Sequence, residues 1–301
     1  MNILYLQFFR HAEIAPSTVY SNDSWINRIE DIWPYGFSQI TKRGKNNGYE
    51  LGLWLRKRYD GFIKKKFDPE EFYIRSTDID VNLMTALLVT DAFYYPDNGT
   101  RFTDFPRIPT PVHTAPLDVD KRSYNLTLPS WAVQNYDEIR TASQFRLQYF
   151  SYTSELKRLR VGPVFRLQTE NMRKKSIGEL PEQKMFMYSY NGLYLAIMLN
   201  TMGFFIGTEP PYSSPLIFEL HQTGKNYFVK ILFQNDTTFQ NPPLELTLPD
   251  CSLECPLSDF INLLKDFIPK DWEKECHSID PISEPSYPSN FTGLSWIYSY
   301  A

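Results

Sequence analysis

The stretch Asn2-Ile3-Leu4-Tyr5-Leu6-Gln7-Phe8-Phe9-Arg10-His11-Ala12-Glu13-Ile14-Ala15-Pro16 decides the fold. Residues 2–9 are almost continuously apolar, which fits a strand buried on both faces rather than one facing water. The run stops at a charged pair, Arg10-His11, and Pro16 breaks the chain soon after. Open α/β sheets hold ligands beyond the carboxyl ends of their strands, so Arg10 and His11 are placed where chemistry is expected.

Two further polar segments follow short apolar runs in the same way. Arg75-Ser76-Thr77-Asp78-Ile79-Asp80 follows a strand predicted at 71–74, and Tyr188-Ser189-Tyr190-Asn191-Gly192 closes one predicted at 185–189. Between them, Leu51, Trp54, Leu55 and Tyr59 keep helical spacing, as do Leu83, Ala86, Leu87 and Thr90. Residues 16–36 and 96–130 read as loop, and 131–178 as polar helix. Residues 216–219 and 227–233 read as a hairpin turning at Thr223-Gly224, and Leu257 to Phe267 as a late amphipathic helix. Strands alternating with helices define an α/β sandwich.

Composition narrows the function. The chain has 301 residues, 31 Lys+Arg and 35 Asp+Glu, for a net charge of −4. A general nucleic-acid binder usually needs a basic face, so no nucleic-acid partner is expected. No apolar run reaches the roughly 18–20 residues that span a bilayer, so no membrane partner is expected either. Aromatic residues make up 16% of the chain, enough to supply flat apolar pockets as well as core. Cys251 and Cys255 are close enough for a small disulfide loop, and no metal site or cofactor motif accompanies them. Sequons stand at Asn22, Asn98, Asn125, Asn235 and Asn290. With the cysteine pair they point to a secreted protein. Met1–Phe9 has no basic n-region and no cleavage site, so any leader is expected to lie outside this sequence.

The three strand-end segments resemble the histidine acid phosphatases. That family opens with Arg-His-Gly-x-Arg-x-Pro; here Arg10, His11 and Pro16 match, while Ala12 and Ile14 depart. The family's Trp-Pro-x-Gly-x-x-Gln-Leu-Thr segment is similar to Trp33–Thr41, and its Arg-Ser-Thr-Asp segment stands intact at Arg75–Asp78. Pro111–Thr114, Leu128–Trp131, Pro210–Tyr212 and Cys251–Cys255 continue the resemblance in order. It implies a histidine-phosphatase-like α/β sandwich with a helical cap, and residues 1–95 and 180–276 would form the core. Residues 96–179 would form a reduced, partly deleted cap, because only Asp118–Tyr124 stand where the family carries several cap helices. Residues 277–301 would be a tail. The family's partner for Cys276 falls in the missing segment, so Cys276 would be a free thiol in a monomer or pair between chains.

The resemblance also assigns roles. His11 would be a vestigial nucleophile, with Arg10 and Arg75 a vestigial phosphate grip. The second first-motif arginine is replaced by Ile14, and the family's His-Asp pair, which supplies a phosphate contact and the general acid, falls on Asn191-Gly192. Losing a general acid costs about 10²–10⁴-fold in rate. Losing a charged stabiliser of the transition state costs a comparable factor. A pocket that loses cations and gains rings, lined by Arg10, His11, Glu13, Ile14, Arg75, Trp131, Tyr190 and Asn191, suits an aromatic or amphipathic small molecule. If Glu13 faces inward, a cationic amine fits through a charge-assisted hydrogen bond and ring contacts. The chain resembles non-catalytic, acid-phosphatase-like salivary proteins of blood-feeding insects, which sequester host amines or lipid mediators. The competing expectation is a weak phosphomonoesterase using His11. Asp78 and Asp80 are expected to cap a helix.

Overall fold

The computed structural model describes residues 2–16, 29–95, 110–116, 149–204 and 207–277. In chain order its elements are β1 (Asn2–Arg10), α1 (Ile29–Ile32), α2 (Lys42–Arg58), β2 (Phe72–Asp78), α3 (Asp80–Phe93) and β3 (His113–Pro116). They continue with α4 (Ser154–Ser176), β4 (Met185–Tyr190), α5 (Gly192–Thr201), β5 (Pro215–Thr223), β6 (Asn226–Phe233) and β7 (Leu244–Leu246). The last described elements are β8 (Cys255–Pro256), α6 (Leu257–Leu264), a 3₁₀ turn (Lys265–Phe267) and α7 (Trp272–His277).

The strands form one mixed sheet in the order β3-β2-β4-β1-β5-β6-β7, with β8 on β6. β1 is central: it runs parallel to β4 and antiparallel to β5. Its alternate residues serve two cores. Leu4, Leu6 and Phe8 pack with Phe165, Leu195 and Phe260 on one face. Tyr5 and Phe9 pack with Leu51, Leu55 and Val89 on the other. Helices cover both faces, which is why the sequence of β1 lacks a polar alternation.

Register sets the site. Along the parallel half of the sheet, Arg10 lies beside Tyr190, and Arg75 beside Tyr188 and His113. Three separate segments therefore reach the same edge of the sheet. Helix α2 is drawn tight against the loop that leaves β1, because a Cβ at Gly44 would collide with the Glu13 carbonyl. Thr41 caps this helix, its hydroxyl accepting from the Gly44 amide at 2.8 Å.

Several local readings change in the structure. Residues 96–130 contain a strand, β3, whose register with β2 comes from the sheet and not from any local period. The loop reading of 16–36 contains the short helix α1. The hairpin turns at Gly224-Lys225, one residue later than expected, with Gly224 at φ 62°. Neither Asp78 nor Asp80 caps α3: the N-cap is Ile79, which makes no side-chain cap bond, and Asp80 lies in the first turn. There its charge faces the positive end of the helix dipole instead. Helix α4 falls within the stretch expected to form the cap, and its Val161, Phe165 and Met172 pack into the sheet's own core. No described helix is long and apolar enough to cross a membrane.

Candidate functional site

Arg10 ends β1 and is only 6% exposed. Its Nη1 donates to the Pro210 carbonyl at 2.6 Å, and its guanidinium lies 3.8 Å from the centre of the Tyr212 ring. Nη2 stands 3.5 Å from Glu209 Oε2. His11 is buried beside it, with Nδ1 2.8 Å from the Ala12 carbonyl oxygen. A carbonyl only accepts, so this bond puts the ring proton on Nδ1 and the lone pair of the neutral ring on Nε2. The His11 ring centre lies 5.6 Å from that of Tyr212.

Glu13 is buried and points inward. Its Oε1 accepts from the Thr41 hydroxyl at 2.9 Å, and its Oε2 accepts from Arg43 Nε at 2.6 Å. Arg43 Nη2 closes the ion pair, while the Arg43 side chain remains 61% exposed. The carboxylate thus has a counterion that itself sits largely in water.

Ile14 is fully buried among Ala12, Ile40 and Val81. Its backbone bridges to Ile40. It contributes packing beneath the loop, where the family resemblance leads one to look for a cation. Asn191 is the N-cap of α5: its Oδ1 accepts from the Tyr194 amide at 2.9 Å. Tyr190 is half-buried and stacks on Tyr194, with ring centres 5.4 Å apart. Burial, with the neighbouring Tyr194, pushes its hydroxyl up to about 12 against the opposing pull of Arg75. It is therefore a neutral hydrogen-bonding group at physiological pH. Arg75 is exposed in the middle of β2, and the neighbouring His113 stacks on Tyr73 with ring centres 4.7 Å apart. Trp131 lies outside the described residues.

Sequence reasoning missed Glu209. A Cβ built on Gly192 would stand 2.7 Å from Glu209 Oε1 and 2.8 Å from Arg10 Nε. The carboxylate fills the space that the glycine leaves open. Glu209 stands directly before the Pro210–Tyr212 segment, but nothing in the sequence gives it a role, because the contact joins loop 207–214 to the start of α5. Tyr212 was visible only as part of the Pro210–Tyr212 resemblance, with no role attached. Thr41 and Arg43, which hold Glu13, carried no signal beyond their place in and beside the Trp33–Thr41 segment.

Two cavities meet at the Glu13–Arg43 pair. One, of about 530 Å³, is lined by Arg10, Glu209, Pro211, Tyr212 and Thr237 together with that pair. The other, of about 460 Å³, is lined by Ile32, Trp33, Pro34, Tyr35 and Ile40 together with the same pair. A charged lobe and an apolar, aromatic lobe therefore share one wall.

The arginine–histidine pair thus stands at the carboxyl end of the central strand of a mixed α/β sheet. The histidine phosphatase superfamily (branch 2) matches residues 7–158, and the chain belongs to that family. It is 29% identical to prostatic acid phosphatase of Rattus norvegicus, over 89% of this chain and 87% of that protein. It is also 29% identical to lysosomal acid phosphatase of Bos taurus, over 89% of this chain and 78% of that one. The rat alignment runs over 339 positions, more than the whole 301-residue chain, so it steps over positions that this chain lacks. Among solved structures, the phytase of Klebsiella sp ASR1 matches at TM-score 0.54 and 14% identity, over 89% of this chain and 96% of that one. The phytase of D. castellii matches at TM-score 0.57 and 11% identity, over 92% and 82%. At these identities the two phytases speak for the fold alone.

Proposed function

We propose that this member of the family is a secreted, non-catalytic binder that sequesters small aromatic or amphipathic molecules. Biogenic amines such as serotonin are its first candidates, and lipid mediators such as leukotrienes its second. The observation that carries the reading is the two-lobed cleft. An apolar, ring-lined cavity opens onto a charged one across the Glu13–Arg43 pair. An aromatic ring placed among Trp33, Pro34 and Tyr35 brings its polar end to Glu13. Arg43, whose own side chain is mostly in water, is the counterion whose place an incoming ammonium would take beside the buried Glu13 carboxylate.

The catalytic apparatus supports the same reading by what it lacks. Ile14 is sealed in an apolar cluster, Asn191 spends its side-chain oxygen on a helix cap, and Gly192 has no acid to give. An extracellular setting is supported by the Cys251–Cys255 disulfide, whose Cα atoms are 5.6 Å apart, and by the exposed sequon at Asn235. The alternative, a weak phosphomonoesterase, draws its support from His11, whose Nδ1 bond leaves Nε2 as the nucleophilic atom.

The test is calorimetric titration of the protein with serotonin, histamine, noradrenaline and leukotrienes, beside an aryl phosphate turnover assay. A saturable, near-stoichiometric heat that is weakened at least about tenfold in Glu13→Gln is the expected outcome for an amine. No heat with any of these ligands, or turnover that disappears in His11→Ala, would replace this reading with the phosphatase.

A further inference from the structure

We propose that Glu209 is a built-in occupant of an oxyanion site at Arg10, and that it keeps small oxyanions such as inorganic phosphate out of the charged lobe. Arg10 is deeply buried, yet only Nη1 makes a bond of ordinary length. Its Nε has no hydrogen-bond partner among the described residues. The Tyr212 ring covers the guanidinium without satisfying a donor. A guanidinium has five N–H donors, so this one has a surplus, and a buried surplus calls for an anion.

Glu209 supplies that anion imperfectly. Its Oε2 stands 3.5 Å from Nη2, beyond the 2.7–2.9 Å or so of a charge-assisted hydrogen bond. Its Oε1 occupies the gap over Gly192, at the opening turn of the ten-residue helix α5, the same gap that Arg10 Nε faces. Negative charge is favoured there by the helix dipole as well as by Arg10. The pair is therefore a loosely seated internal ligand: charge and position hold Glu209, and geometry does not lock it. A phosphate entering the lobe must either displace it or place its own charge against it, and like charges brought together are costly. Gly192 is what makes this arrangement possible, since any side chain at 192 would meet both Glu209 and Arg10.

This inference rests on the reading of the cleft as a binding site without turnover, and it has its own measure. The full chain is titrated with inorganic phosphate as wild type, as Glu209→Gln and as Glu209→Leu. Both variants remove the charge, one keeping the amide's polarity and the other filling the space with an apolar group, so either alone suffices if the other fails to fold. The expected result is phosphate binding at least about tenfold tighter than wild type, lost again when Arg10→Gln is added. Equal phosphate affinity with and without Glu209 overturns the proposal. So does the absence of phosphate binding in a variant that melts as cooperatively as wild type. Aryl phosphate turnover by the wild type would instead sink the non-catalytic reading, a separate outcome in a separate assay.

Discussion

The loop leaving β1 and the turn opening α5 carry Ile14 and Gly192, the two residues on which the proposed loss of catalysis rests, and the structure surrounds them in opposite ways. Ile14 is apolar and completely buried among Ala12, Ile40 and Val81. Gly192 has no side chain, and the Glu209 carboxylate, from another loop, occupies the space beside it. Packing holds the first position and electrostatics the second. Packing is hard to reverse, because a close-packed cluster has no room for a new charge. An ion pair whose atoms stand 3.5 Å apart is easier to rearrange.

That contrast can be broken by experiment. Ile14→Arg should be the most damaging change, costing about 3 kcal/mol or more because it buries an unpaired charge. Chemical denaturation reads the loss, and a destabilisation below about 1 kcal/mol would mean that the site still holds room for a cation. Gly192→Ala should cost about 1–3 kcal/mol as an overpacked contact. Most of that cost should vanish in the background of Glu209→Ala, since two of the three nearest atoms belong to Glu209. A double-mutant cycle that shows simple additivity would separate the two residues. Asn191→Ala should cost least, about 1 kcal/mol, by removing the N-cap of α5. A larger loss in ligand affinity than in thermal stability would show that Asn191 touches ligand as well as capping the helix.

Much of the fold was legible in the chain, for reasons that differ from element to element. β1 announced itself because a strand buried on both faces must be apolar throughout. Helix α2 was readable from Leu51, Leu55 and Tyr59, which sit on its core side. β3 was not readable, since four residues amid prolines carry no period and owe their conformation to β2. The expected caps at Asp78 and Asp80 failed for a related reason: residue type favours a cap, but the geometry of the strand-to-helix turn chose Ile79.

The site divides in the same way. Arg10, His11, Glu13, Arg75, Tyr190 and Asn191 could be named from sequence because each sits at or just past the end of a predicted strand. Their states could not be named. That Glu13 is held by Thr41 and Arg43, that Asn191 caps α5 and that Ile14 is sealed away depend on which side chains the sheet register brings together.

By itself, then, the sequence determined the family, the strand-end placement of Arg10 and His11 and the residue types that stand at Ile14 and Gly192. These are properties of local pattern and residue type, which survive in one dimension. Only the tertiary structure decided what surrounds those positions. The Glu209–Arg10 contact and the gap over Gly192 join segments nearly two hundred residues apart, and the cavity wall joins Glu13 to Arg43 across two elements; side chains meet across such distances only where packing places them.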